Sequence, residues 1–160
     1  MLGMNMGQEQ IKIISENRKA RHEYHFLETF EAGIELKGTE VKSLRNAKVS
    51  IQEAYARIER GEVYIYNMHI APYEMGNRFN HEPKRPRRLL LHKAEIRRIY
   101  AKVREKGFTL IPVKIYFVRG LAKLELALAQ GKKLYDKRHD LAEKEAKRDI
   151  QRGFKEKQRF

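Results

Sequence analysis

The chain has 160 residues and a formal charge of +14, from 35 Lys and Arg against 21 Asp and Glu. That length fits one compact domain with its own core, and the charge exceeds what solubility requires, so a polyanion is the expected partner. The absence of Cys excludes disulfides, thiolate metal ligands and Cys nucleophiles and favours an intracellular setting.

In chain order, Met1 to Gly7 lack the basic and apolar regions of a signal peptide, and Ile11, Ile13 and Ile14 form a short apolar cluster in a ragged start. Aromatic and branched residues from Tyr24 to Leu36 predict one or two strands bending around Ala32-Gly33. Val41 and Leu44 fall at helical spacing, predicting a helix of about two turns after Gly38 with Thr39 as N-cap. Ser50-Ile51-Gln52-Glu53 has the form of a capping box and predicts one further helical turn.

Ala56, Ile58, Val63 and Ile65 alternate with Arg57, Glu59, Glu62 and Tyr64 about Arg60-Gly61, the pattern of a hairpin. From Ile70 to Leu89, Pro72, Gly76, Asn77, Pro83 and Pro86 interrupt every element, predicting a long loop. Lys93 to Lys106 carries Ile96, Ile99, Tyr100 and Val103 on one stripe and stops at Gly107, a helix. A second hairpin joins Leu110–Val118 to Leu121–Ala129 through Arg119-Gly120, with Pro112 near a strand start or on an edge. Leu124, Leu126 and Leu128 alternate with Glu125 and Ala127, predicting one buried and one exposed face. The body is thus five or six mainly antiparallel strands with two or three helices, a small barrel or an α+β sheet.

The composition changes at Gly131. Residues 131–160 hold eleven Lys/Arg and six Asp/Glu with scattered apolar residues, so the expected organisation is a body over 1–130, with a short N-terminal extension, and a basic tail over 131–160. That tail is expected to be disordered when free and to become a helix on a polyanion.

Signs of catalysis are sparse. His22, His25, His69, His81, His92 and His139 make no metal-binding spacing, and no Gly-rich phosphate loop occurs. Glu31, Glu35 and Glu40 are carboxylates that nothing in the sequence confines to one pocket. No cofactor is expected. Two competing readings are an RNA-modifying or cleaving enzyme using Glu31 or Glu40 with a histidine, and a basic structural protein of a ribosomal subunit.

The cations are more informative. Arg18-Lys19 with Arg21 and His22 is one cluster, and Lys84-Arg85-Pro86-Arg87-Arg88 with Lys93, Arg97 and Arg98 is a second. Arg78 to Arg98 carries eight Lys/Arg against two acids, an array that suits a phosphate backbone. Tyr24, Phe26, Tyr64, Tyr66, Tyr73 and Phe79 lie near these clusters, and exposed rings beside cations suit unstacked RNA bases. The third cluster is Lys132-Lys133-Leu134-Tyr135-Asp136-Lys137-Arg138. Leu134, Leu141 and Ile150 are too sparse for a membrane-binding face, and no apolar run reaches bilayer length.

Several stretches together resemble the small protein B family, bacterial SsrA-binding proteins that partner transfer-messenger RNA. They are Asn17-Arg18-Lys19-Ala20, Glu31-Ala32-Gly33-Ile34, Gly38-Thr39-Glu40-Val41-Lys42-Ser43-Leu44-Arg45, Pro86-Arg87-Arg88-Leu89-Leu90-Leu91-His92, Pro112-Val113-Lys114-Ile115-Tyr116-Phe117 and Gly131-Lys132-Lys133-Leu134-Tyr135-Asp136-Lys137-Arg138. The resemblance implies a mainly-β fold, an oligonucleotide-binding-fold-like antiparallel barrel with flanking helices and a basic C-terminal tail. It implies a non-catalytic cytoplasmic adaptor, monomeric in isolation, that binds the tRNA-like domain of transfer-messenger RNA and promotes its alanylation. With elongation factor Tu the adaptor delivers that RNA to stalled ribosomes for trans-translation, and alanyl-tRNA synthetase belongs to the same pathway.

By motif, the resemblance assigns Asn17, Arg18, Lys19, Tyr24, Glu31, Leu91 and His92 to the tRNA-like domain, with Arg87 and Arg88 on phosphates beside it. In the tail it assigns Lys132, Lys133, Tyr135, Asp136, Lys137 and Arg138 to the ribosome, chiefly small-subunit RNA at the decoding centre and empty messenger channel, and helical spacing adds Lys144, Lys147 and Arg148 to the same ribosome-binding charge. Tyr135 would stack there on a base, and Gly153 is a point at which the tail helix can end.

Overall fold

A computed structural model of the chain describes residues 10–75, 80–105 and 107–158, with the side chains of 133–140 and 154–158 outside the description. In order they form β1 (Ile11–Glu16), α1 (Arg18–Glu23), β2 (Tyr24–Ile34), α2 (Gly38–Arg45), β3 (Val49–Ser50), β4 (Tyr55–Glu59) and β5 (Glu62–Tyr66). There follow β6 (His69–Ile70), β7 (Arg87–Leu90), α3 (Lys93–Val103), β8 (Phe108–Val118), β9 (Leu121–Gly131) and α4 (Lys132–Gln158). Seven strands make one antiparallel sheet in the order β1-β8-β4-β5-β7-β2-β9, β8 also pairs with β9, and β3 pairs with β6.

Both hairpins form where alternation placed them. Arg60 and Gly61 (φ 52° and 78°), like Arg119 and Gly120 (φ 51° and 75°), take the left-handed conformation that a two-residue turn between twisted strands requires. The expected bend at Ala32-Gly33 is absent, because β2 runs through it paired to β9 and β7 and slips register between Phe26 and Glu28 instead. Ser50–Glu53 ends a strand and makes a turn closed by Ala54 N–H donating to Ile51 O (3.1 Å), not a helical turn. Lys37, not Thr39, precedes α2, and Glu40 caps it by accepting from the Lys37 N–H at 2.8 Å.

Two elements have weaker sequence signals. Helix α1 is six residues long and buries only Ala20, so it shows no apolar stripe; Asn17 starts it by accepting from Ala20 N–H at 3.3 Å. Strand β7 starts inside the expected loop, just after the last of its prolines, runs one residue past its end, and fits between β5 and β2. Pro112 sits well within β8, at a register shift against β9. On its other side Asn17 fills the gap: its N–H donates to Val113 O (2.7 Å) and its Nδ2 to Pro112 O (3.1 Å).

The main core gathers Phe30, Ala32, Val63, Ile65, Leu89, Ile115, Leu124 and Leu126 from the inner sheet face, with Leu44 of α2 and Ile96 and Ile99 of α3 packed on it. Burying each such leucine stabilises by about 1.5–3 kcal/mol. The other face of β9 is only partly exposed. Ala127 and Ala129 join Ala20, Ile111, Val113, Tyr24 and Phe26 in a second cluster under α1. Small alanines allow that close approach.

Candidate nucleic-acid interface

The cluster at Arg85–Arg88 divides by the pleat of β7. Arg87 and Leu89 point inward, Arg88 and Leu90 outward. Arg87 is 0% exposed: its Nε donates to Glu40 Oε2, its Nη1 to Met68 O (2.5 Å) and its Nη2 to Pro83 O (3.0 Å). Arg85 donates to the other Glu40 oxygen, from Nη2 at 2.5 Å and Nε at 3.1 Å. Burial by itself pushes the Glu40 carboxyl up, but the Lys37 N–H and the two guanidinium groups outweigh it and hold it below the ordinary carboxylate value.

Arg87 therefore makes no phosphate contact in this fold, a correction to the sequence reading, and Glu40 is no candidate acid or base. The same knot fixes the loop after β6, where buried His81 bonds Thr39 Oγ1 (2.8 Å) and Ile70 O (2.9 Å) through its two ring nitrogens. Arg88 is different. Its side chain is 41% exposed and donates to Glu35 Oε2 at 2.8 Å on the surface.

The first basic cluster is a surface. The Arg18 side chain is 87% exposed and Lys19 58%, and among the described residues their ion pairs are loose ones to Glu16 (3.7 Å) and Glu23 (3.8 Å). Arg21 and His22 are exposed on the same helix. Asn17 is 3% exposed, with its side-chain amide committed to the backbone at Ala20 and Pro112. It holds this surface in place rather than presenting its own amide, again a correction. Tyr24 is half-buried on the second cluster and, with Lys19, Gln52, Glu53 and Tyr55, lines a groove beside α1.

A second patch lies at the other end of β2, about 20 Å along the strand from Tyr24 to Glu31. Glu31 is exposed, and its Oε2 accepts from the Tyr116 hydroxyl at 2.6 Å. Leu90, 46% exposed, lies so close over Gly33 that a Cβ there would stand 3.2 Å from the Leu90 Cβ. Leu91 is half-buried against the main core, and exposed His92 precedes α3, its N–H donating to Glu95 Oε1 at 3.1 Å. Sequence reasoning singled out Leu91 and passed over Leu90 and Tyr116. Once Arg87–Leu90 is known to be a strand, its alternation marks Leu90 as outward with Arg88, whereas nothing local links Tyr116 to Glu31, 85 positions away.

Of the aromatics, Tyr66 stacks on Tyr55 (centroids 5.7 Å apart, 17° between planes) with the Arg57 guanidinium over both rings. Phe26 packs into the second cluster and Phe79 lies outside the described residues, as does Arg78. Helix α4 continues past Gly153 to Gln158 and meets the body at β9 and β2. Lys132, Lys144, Lys147 and Arg148 are exposed on it, and the side chains of Lys133, Tyr135, Asp136, Lys137 and Arg138 lie outside the described ones. Among the described residues, no cluster of three His, Asp or Glu could hold a metal ion, and no helix is long and apolar enough to cross a membrane.

The family model described as "SmpB protein" matches residues 14–156, which is most of the body together with α4. The chain belongs to the SmpB protein family. It is 64% identical over 150 residues to the SsrA-binding protein of Pelotomaculum thermopropionicum, covering 94% of this chain and 98% of that one. Against the SsrA-binding protein of Desulforamulus reducens the identity is 65% over 150 residues, with 93% of each chain covered. A solved structure described as "tmRNA-SmpB: a journey to the center of the bacterial ribosome" is 60% identical, with a TM-score of 0.63 over 74% of this chain and 83% of that one. The α1 surface, the Glu31 patch and the Glu40 knot all fall within the span matched to the SmpB family.

Proposed function

We propose that this chain is the adaptor for transfer-messenger RNA: it binds the tRNA-like domain of that RNA and takes part in trans-translation on stalled ribosomes. The observation that carries this is SmpB membership over nearly the whole chain, with SsrA-binding proteins more than 60% identical. It is a binding protein and not an enzyme.

The finer reading rests on geometry. An oligonucleotide-binding-fold-like barrel is supported by β8 pairing with both β4 and β9, which links β8-β4-β5-β7-β2-β9 into a ring of six strands with β1 added beside β8. In this reading Arg18, Lys19 and Tyr24 hold one part of the tRNA-like domain, and Glu31, Arg88, Leu91 and His92, joined by Leu90, hold another. Two patches about 20 Å apart suit a bulky folded RNA rather than a single strand. Alanyl-tRNA synthetase and elongation factor Tu would act on the RNA so presented, in the cytoplasm.

Helix α4 is the ribosome-facing part. Its described middle, 141–153, is exposed throughout and carries Lys144, Lys147 and Arg148, which suits a groove of ribosomal RNA phosphates.

The test is binding to transfer-messenger RNA and bulk tRNA side by side, at physiological salt with excess nonspecific RNA. Strong preference for the former is expected, and equal weak binding would overturn the adaptor reading. Removing residues 132–160 is expected to leave the unfolding midpoint and most of that affinity in place while abolishing rescue of stalled ribosomes. Loss of the unfolding transition in the truncated chain would show α4 to be part of the core.

A further inference from the structure

Glu31 is an anion on a surface otherwise read as binding one. Among the described residues it has no ion-pair partner, unlike its neighbours Glu35 with Arg88 and Glu125 with Lys114 (3.3 Å). Its hydrogen bond comes instead from the phenol of Tyr116, a residue 4% exposed in β8 that reaches across β9. The register makes that reach possible: Glu31 lies opposite Glu125 of β9, and Tyr116 lies opposite Lys123 two residues earlier on the same strand.

The ring of Tyr116 is fixed. It is buried, and Lys114, itself tied to Glu125, holds its ammonium 5.5 Å from the ring centroid. A phenol so placed has little freedom left, whereas an exposed glutamate side chain without such a partner samples many rotamers. One oxygen of Glu31 is thus anchored, and on this exposed residue Oε1 is left as the second acceptor, its freedom narrowed by that bond.

An ionised carboxylate only accepts hydrogen bonds and repels phosphate, so its complement on RNA is a donor, a base-edge N–H or a ribose 2′-hydroxyl, and of the two only the base N–H differs from one base to another. We infer that Tyr116 is a positioning residue for RNA recognition: by anchoring Glu31 Oε2 it aims Glu31 Oε1 at a nucleobase N–H donor. The inference rests on the reading that Glu31 belongs to the RNA-binding surface. It makes the Glu31 patch a point of base-edge selection, in contrast to the α1 surface, where Arg18 and Lys19 answer phosphate charge. Burial and the adjoining Glu31 carboxylate raise the Tyr116 hydroxyl above its ordinary value, so it remains a donor throughout the working pH range.

The test is a double-mutant cycle in the full chain, with transfer-messenger RNA as ligand and thermal melting measured beside binding. Glu31→Gln keeps the shape but presents an amide donor where the acceptor was, and it is expected to weaken binding by about tenfold or more. Tyr116→Phe keeps the ring and is expected to weaken binding by about three- to tenfold without changing its dependence on salt, since no phosphate contact is lost. In the Glu31→Gln background, Tyr116→Phe should have little further effect.

The outcomes separate the two levels of the reading. Unchanged binding by Glu31→Gln would remove Glu31 from the RNA surface. Weakening by Glu31→Gln but not by Tyr116→Phe, or equal losses from Tyr116→Phe in both backgrounds, would overturn the positioning role and leave Tyr116 as a link between strands. If Tyr116→Phe does not fold, the unaltered protein decides by NMR. The Glu31 carboxyl resonance should move on adding RNA while the Tyr116 ring resonances stay in place, and an unmoved Glu31 or a displaced Tyr116 would overturn the inference.

Discussion

Arg18 and Arg87 both stand in dense clusters of cations, yet the side chain of one is 87% exposed and that of the other 0%. The difference lies in the elements that carry them. Helix α1 buries only Ala20, so its cations radiate into solvent, whereas β7 is pleated and sends Arg87 and Arg88 to opposite faces. A buried guanidinium needs its charge and its nitrogens answered, and Glu40 with the carbonyls of Met68, Glu82 and Pro83 gives each of the three nitrogens an acceptor. Cation density along a chain therefore marks neither surface nor phosphate contact until the face is known.

The contrast can be broken most forcefully at Arg87. Arg87→Ala leaves Glu40 buried with Arg85 as its remaining charged partner, and is expected to cost about 3–5 kcal/mol in denaturant unfolding. A loss below about 1 kcal/mol would mean that the knot does not support the fold. At a temperature where this variant is folded, the salt dependence of RNA binding should match that of the unaltered protein, because no phosphate contact has gone.

Acid should act on the same knot. Because the Glu40 carboxyl is held below its ordinary 4.5 in the folded chain, the unfolded chain takes up the proton first as pH falls. The stability that Glu40 contributes is complete above that value and is lost as pH drops from there through the lowered folded value. Glu40→Gln should flatten this limb in melting curves taken across the acid range, and an unchanged limb would assign acid sensitivity to other carboxylates.

Arg18→Ala with Lys19→Ala should show the opposite behaviour to Arg87→Ala. Stability is expected to change by no more than about 0.5 kcal/mol, while the salt slope of RNA binding falls by about one for each phosphate contact removed. An unchanged slope would exclude α1 from the phosphate surface. The smallest effect is expected from Arg88→Ala, next in sequence to Arg87 but outward. It should cost under about 1 kcal/mol of stability, with a slope change of about one at most; a loss matching that of Arg87→Ala would defeat the division by face.

How much of this was legible varied with the locality of the signal. The two hairpins and α3 were readable because alternation, a left-handed turn pair and an apolar stripe are local properties of ten or so residues. Helix α1 was not, since six residues with one buried alanine have no periodicity to detect. Strand β7 was hidden because four residues after a proline-rich stretch show alternation only once the strand is assumed. The recognition motifs named Glu31, Leu91 and His92, but their surroundings came from pairing: Leu90 over Gly33, and Tyr116 beside Glu31.

By itself the sequence determined the charge, the mainly-β character, the hairpins and, through its motifs, the likeness to SsrA-binding proteins. Only the tertiary structure decided which cations are surface and which are skeleton. Glu40 and Arg87 are 47 residues apart, as Asn17 and Pro112 are 95 apart, and no local pattern records that they meet. A charge is desolvated or exposed according to what the rest of the chain packs against it, and that is settled only when strands and loops distant in sequence have packed together.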